Sequence, residues 1–157
     1  MIRMNEEHTK ELEEKFPWIT PTDGYGIGVG DGWYDIIHTL CFQIHHAINY
    51  ENECIELYKK SGKDWTWKPN DKPFEFPIVD QIKEKFGGLR FYARTPTGTR
   101  YELRGLIQMA EAMSVTICDS CGNKGKIRDH AWRRTLCDKC EKKQNKGKRF
   151  EGLRNLK

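Results

Sequence analysis

No stretch of this sequence approaches the roughly 18 consecutive apolar residues that a membrane-spanning helix requires. A transmembrane protein, or one that engages a membrane, is therefore not expected. The opening residues, Met1-Ile2-Arg3-Met4-Asn5-Glu6-Glu7, lack the apolar core of a secretion signal. No Ser-His-Asp or Cys-His pattern marks a catalytic nucleophile. Gly26-x-Gly28-x-Gly30 superficially matches a phosphate-binding loop, but no hydrophobic strand precedes it and no Gly-Lys-Ser/Thr follows. It reads as a turn-rich loop feeding a helix. Internal repeats and low-complexity tracts are also missing, which removes repeat architectures. These absences leave a cytoplasmic protein that is more readily a binder than an enzyme.

Cysteine is scarce, six residues in 157, yet four of the six are concentrated near the C-terminus. Cys118-x2-Cys121 and Cys137-x2-Cys140 lie 15 residues apart. Two residues between cysteines let one tight turn aim both sulfurs at one ion, and two such pairs make a four-thiolate zinc site. Two disulfides would need an oxidising compartment, which nothing here indicates. With all four positions taken by protein, the expected zinc is structural and offers no open site to a substrate. Cys41 and Cys54 fall in a predicted helix and read as small buried hydrophobes. His38, Cys41 and His45 share the flank of that helix and are weighed as a second metal site against ordinary helix-edge residues.

Charge divides the chain. Residues 118–157 hold 13 Lys+Arg against 5 Asp+Glu, and residues 1–117 hold 14 against 18; the net charges of +8 and −4 sum to +4. A basic zinc module (118–157) on an acidic α+β body (1–117) points to nucleic acid or another acidic partner. The competing reading is that lysines only solvate a small module and offset its thiolates.

Along the body, a short helix over 5–16 is capped by Asn5 and ended by Pro17. A long helix capped by Asp31 runs to about Lys60, with a break possible over 49–53. Its buried stripe is Trp33, Ile37, Leu40, Ile44, Ala47 and Ile48. Residues 63–77, with Trp65, Trp67, Phe74 and Phe76, form an extended wrap over the core. Residues 78–94 have two readings. A β-hairpin turning on Gly87-Gly88 faces Phe86 to Leu89 and Ile82 to Ala93, and places Lys83, Lys85, Arg90, Tyr92 and Arg94 on one basic side. A helix from Pro77 to Phe86 dissolves that side. Thr95-Pro96-Thr97-Gly98 turns the chain into a helix over 100–114, capped by Thr99, whose stripe includes Leu103, Leu106, Ile107, Ala110 and Met113. Between the cysteine pairs, Lys126–Arg128 and Trp132–Leu136 suggest a second hairpin. A polar helix follows from Asp138 to about Asn145, then a loose basic tail from Gly147.

Cys-x2-Cys-Gly, then Trp132-Arg133-Arg134, then Leu-Cys-x2-Cys is similar to the GATA-type members of the treble-clef zinc fingers. Over about 25 residues that resemblance implies a knuckle, a hairpin and a helix carrying the second pair. The α+β fold expected is thus helices around a small antiparallel sheet or hairpin, with a C-terminal treble-clef-like zinc module. Gly30-Asp31-Gly32-Trp33-Tyr34-Asp35, Ile82 to Tyr92, Ala110 to Ser114 and the terminal Trp-x-Arg-Thr-Leu-Cys resemble a family of small tailed-bacteriophage proteins. This implies a phage accessory product in the bacterial host cytoplasm and brings no activity with it.

The function that follows is a zinc-stabilised, non-catalytic binding protein. Its candidate phosphate contacts are Lys83, Lys85, Arg90, Arg94, Lys126, Arg128, Arg133, Arg134, Lys139, Lys142 and Lys143. Trp132 is either a base-stacking residue or a cover for the zinc site. One alternative is a protein-interaction module binding a host or phage protein for host takeover or defence evasion, marked by an exposed patch from Trp65, Trp67, Phe74 or Phe76. Another is capture of a small phosphorylated ligand, such as a nucleotide, between the basic segment and the Gly-rich loop. Asp129-His130 faintly resembles the zinc-stapled HNH nucleases, but only six residues separate His130 from Cys137, and no histidine near Glu141 completes a catalytic metal site.

Overall fold

The computed structural model describes residues 2–96 and 101–154 and is α+β: four helices around a small mixed sheet, with a second two-stranded sheet between the cysteine pairs. Helix α1 (Glu6–Lys15) begins at Asn5, whose side chain accepts from the His8 amide at 2.8 Å. Helix α2 (Tyr34–Ser61) is unbroken and stops at Gly62. The weakened apolar pattern over 49–53 is therefore not a break: the stripe resumes at Ile55, and Asn52 exchanges hydrogen bonds with the Phe74 backbone at 2.7 and 3.0 Å. Asp31 does not cap α2. It sits in a short 3-10 turn, and its carboxylate takes the Asn5 amide at 2.8 Å and approaches His8 Nδ1 at 3.2 Å, which ties α1 to the loop.

Strands β2 (Ile78–Lys85) and β3 (Gly88–Arg94) form the antiparallel hairpin, so the helical alternative for 78–86 is excluded. The short strand β1 (Ile27–Gly28) adds parallel to β2, pairing Ile27 with Ile82, so the sheet is mixed where an antiparallel one was expected. A hairpin between neighbouring strands can only be antiparallel; the parallel member comes from the Gly-rich loop far upstream, which local pattern does not reveal. The turn residues are Phe86 and Gly87, not Gly87-Gly88, and both have positive φ, 55° and 84°. Ile82 consequently faces Phe91 and Glu84 faces Leu89. Phe86, expected in the apolar row, is 69% exposed. Partner numbers shift by two, and only an odd shift would turn the strand over, so the division of faces survives. Val79, Ile82, Leu89 and Phe91 are buried; Lys83, Lys85, Arg90, Tyr92 and Arg94 alternate onto the other side.

Helix α3 (Tyr101–Ser114) packs on α2 and β3. Its expected cap Thr99 lies outside the described residues. Leu103 and Ala110 are buried as expected, but Met113 is 47% exposed. The main core joins Leu12, Phe16 and Ile19 to Trp33 and the α2 row Ile37, Leu40, Cys41, Ile44 and Ile48, closed by the inner face of the hairpin. Phe74 and Phe76 pack against it, whereas Trp67 stays exposed. The remaining elements are β4 (Lys126–Arg128), β5 (Arg134–Leu136) and α4 (Asp138–Arg154), which continues well past Asn145 through what was read as the start of a tail. No helix among the described residues is long and apolar enough to cross a membrane.

Candidate metal centre

The first cysteine pair sits in a tight turn: Gly122 N–H donates to the Cys118 carbonyl at 2.9 Å, and the Cys118 amide to the Asn123 carbonyl at 2.7 Å. The second pair straddles the start of α4. Cys137 Sγ accepts from the Cys140 amide at 3.4 Å, where a helix N-terminus stabilises negative charge. That amide, more than any other group, draws the Cys137 thiol down to about 7. Burial pushes the Cys118 and Cys140 thiols up, Cys140 to about 12.

All four sulfurs lie within 4.8 Å of one another, and Cys121 and Cys137 are 3.7 Å apart. Metal–sulfur bonds of about 2.3 Å in a tetrahedron put sulfurs about 3.8 Å apart, so the four residues fit one metal ion. Among the described residues this is the one such cluster. His38, Cys41 and His45 form no second site. The Lys15 amine lies 3.4 Å from His38, the Trp18 indole donates to His45, and Cys41 is fully buried.

A ring of charged side chains holds the cluster. Arg128 is buried, and its guanidinium reaches the Leu136 carbonyl (3.0 Å), Asp138 (2.6 Å) and Glu141 (2.6 Å), tying β4 to the first turn of α4. His130 Nε2 meets the other oxygen of Glu141 at 3.0 Å. Arg134 grips Asp119, which is 1% exposed, through Nε at 2.9 Å and Nη2. Burial raises the Asp119 carboxyl, and Arg134 pulls it back toward the ionised form. Arg128 and Arg134, read from sequence as phosphate contacts, are thus committed inside the protein. Arg134→Ala leaves a carboxylate buried without its cation and is expected to cost about 3 kcal/mol or more of stability, measured by urea unfolding of metal-loaded protein.

The knuckle also docks onto the body. Gly32 N–H donates to the Asp119 carbonyl at 2.9 Å, and the Trp33 indole to the Ile117 carbonyl at 2.8 Å. A Cβ on Gly30 or Gly32 would overlap the carbonyl oxygens of Asp119 and Cys118. Thr135, fully buried, donates its hydroxyl to the Gly87 carbonyl at 2.6 Å. The Gly-rich loop is not only a turn; part of it, Gly30 and Gly32, seats the knuckle of the first cysteine pair. Asp119, Gly30, Gly32 and Thr135 escaped the sequence reading because a glycine needed for close approach looks like any turn glycine.

No protein-family model matches the chain, and no curated protein or solved structure does. Function has to be read from the molecule.

The docking brings two basic segments together around Trp132, which is 66% exposed and whose indole N–H donates to Glu84 of the hairpin at 3.1 Å. One cavity beside it, about 690 Å³, is lined by Lys85, His130 and Arg133 and by the carboxylates Glu84 and Asp129; Asp129 lies 3.6 Å from the exposed Arg133 guanidinium. A second, about 620 Å³, is lined by Tyr25, Lys83, Trp132 and Arg134 among others. Arg90 turns its guanidinium to the Leu89 carbonyl, and Arg94 forms a forked pair with Asp80, which holds that carboxyl below its ordinary value. Lys126, Lys139, Lys142 and Lys143 are exposed and line neither cavity.

Proposed function

We propose that the protein is a zinc-stabilised, non-catalytic binding protein that contacts nucleic-acid phosphates where its hairpin meets its metal module. The observation that carries this reading is the convergence of Lys83, Lys85 and Arg133 on the cavities flanking exposed Trp132. Cations beside an exposed aromatic suit a phosphate backbone whose bases or sugars lie against the ring. Zinc is the ion that four thiolates in a closed tetrahedron favour for a structural role. The knuckle, the β4–β5 hairpin and α4 follow in the order of a treble-clef finger. The resemblance to phage proteins adds a setting in the host cytoplasm, where the protein acts as an accessory factor. A protein-binding aromatic patch has less support, since Phe74 and Phe76 pack on the core and Trp65 meets Tyr58 edge-on, which leaves Trp67 as the exposed one of the four.

Metal analysis of purified protein is expected to return one zinc per chain. Fluorescence polarisation with labelled duplex DNA, single-stranded DNA and RNA across salt tests the partner. Binding at about micromolar affinity with a steep salt slope is expected. Lys85→Ala and Arg133→Ala should each reduce that slope by about one without loss of fold. Absence of binding to all three at low salt would sink the reading and favour a protein partner.

A further inference from the structure

The 620 Å³ cavity on the Gly-rich-loop side of Trp132 has features that phosphate contact alone does not use. Two large aromatic side chains on its lining, Tyr25 and Trp132, are 61% and 66% exposed, although the chain has a core able to bury rings. Tyr25 is held there by its backbone: its amide donates to Asp23 Oδ1 at 2.9 Å in a local turn. Gln81 is positioned by the same carboxylate, its amide N–H donating to Asp23 Oδ2 at 3.0 Å, which leaves its side-chain carbonyl as a free acceptor. Gln144, on the α4 side of the lining, makes no side-chain hydrogen bond among the described residues. Among the described residues Lys83 is the cation of the cavity with no carboxylate partner, its ammonium standing 5.7 Å from the Tyr92 ring centre, whereas Arg134 is held by Asp119.

From this set we infer that the cavity accepts one unpaired nucleobase together with its phosphate, from a single strand or as a free nucleotide. The inference rests on the phosphate-binding reading above and narrows it. Aromatic faces stack on any base, amide groups pair with the polar edge of a base, and the lysine takes the phosphate. The volume lies in the range of small-ligand pockets, about 300–1,000 Å³. A base inside a duplex has both faces stacked and its pairing edge occupied, so it cannot offer these surfaces. The site therefore discriminates between unpaired and paired nucleic acid, which a purely basic face does not.

The test compares a short oligothymidylate, the duplex it forms with oligoadenylate, and thymidine monophosphate, each titrated into metal-loaded protein. Single strand is expected to bind about tenfold tighter than duplex or better. Tyr25→Ala should weaken single-strand binding about tenfold while leaving duplex binding in place, and Tyr25→Phe should retain it. Because Tyr25 is exposed, both variants should melt with the parent, which a thermal scan checks. Monophosphate binding lost in Tyr25→Ala identifies a free nucleotide as a source; strand binding without it restricts the site to strands. Equal affinity for strand and duplex, with Tyr25→Ala moving neither, overturns the cavity while leaving the phosphate reading intact. Binding of none of the three removes both.

Discussion

Stripping the metal with a chelator is expected to destabilise the whole chain, not the C-terminal module alone. Structural zinc on four thiolates contributes about 10 kcal/mol or more to the fold that holds it, which is comparable to the entire stability of a domain of about 5–15 kcal/mol. Among the described residues, the module that carries the cysteine pairs has two three-residue strands and a largely polar helix, so little else holds it together. Its loss removes the partners of Gly32, Trp33 and Gly87, which belong to the body. Thermal scans with and without chelator should therefore show one large downward shift. Hydrogen exchange should accelerate at 30–33 and 84–90 as well as at 117–141. An unchanged melting temperature after verified metal loss would refute a structural metal. Loading should also release protons. Burial raises the Cys118 and Cys140 thiols, so metal-free protein keeps those protons at neutral pH, and the ion must displace them. Metal affinity should accordingly fall as pH falls, and a pH indicator in weak buffer should report acidification on adding zinc.

Gly32→Ala is expected to be the most damaging single glycine substitution. The new methyl would overlap the Cys118 carbonyl and crowd the amides of Cys121 and Gly122, all of them backbone of the turn that aims two thiolates. Backbone cannot swing aside as a side-chain end can, so either the docking or the turn must give. The expected cost is about 3 kcal/mol or more, with weakened metal retention in a chelator competition. Gly105→Ala is the matched control. Gly105 lies in α3 with nothing within 4 Å of its missing Cβ, so alanine there should stabilise by about 0.5–1 kcal/mol. Comparable stability of the two variants would show that the loop does not seat the knuckle.

The cysteine spacing and the helix stripes were legible because each is a local periodicity written into consecutive residues; the two faces of the β2–β3 hairpin were legible only under one of the two readings that segment allowed. Cys-x2-Cys brings sulfurs together through one turn, and alternation along a strand assigns faces even when the turn is misplaced by one residue. The misplacement has a tertiary cause. Gly87-Gly88 is the cheaper turn locally, and a non-glycine such as Phe86 at positive φ costs about 1 kcal/mol. The observed turn gives the Gly87 carbonyl to Thr135 and its amide to Glu84. Those partners lie up to 48 residues away, where no local pattern can register them.

The charged residues divide in the same way. Composition alone showed a basic C-terminal region, but it could not separate Arg128 and Arg134, clasped by buried or half-buried carboxylates, from Lys85 and Arg133 at the cavity beside Trp132. The sequence by itself determined the cysteine cluster that can hold a metal and the α+β class, since these follow from bond geometry and residue period; it left residues 78–94 open between hairpin and helix. Only the tertiary structure decided that β1 joins the sheet in parallel, that Gly30 and Gly32 seat the metal knuckle, and that the two basic segments meet. Each of those depends on backbone approach between segments distant in sequence, and that approach is set by packing and hydrogen-bond satisfaction across the whole fold.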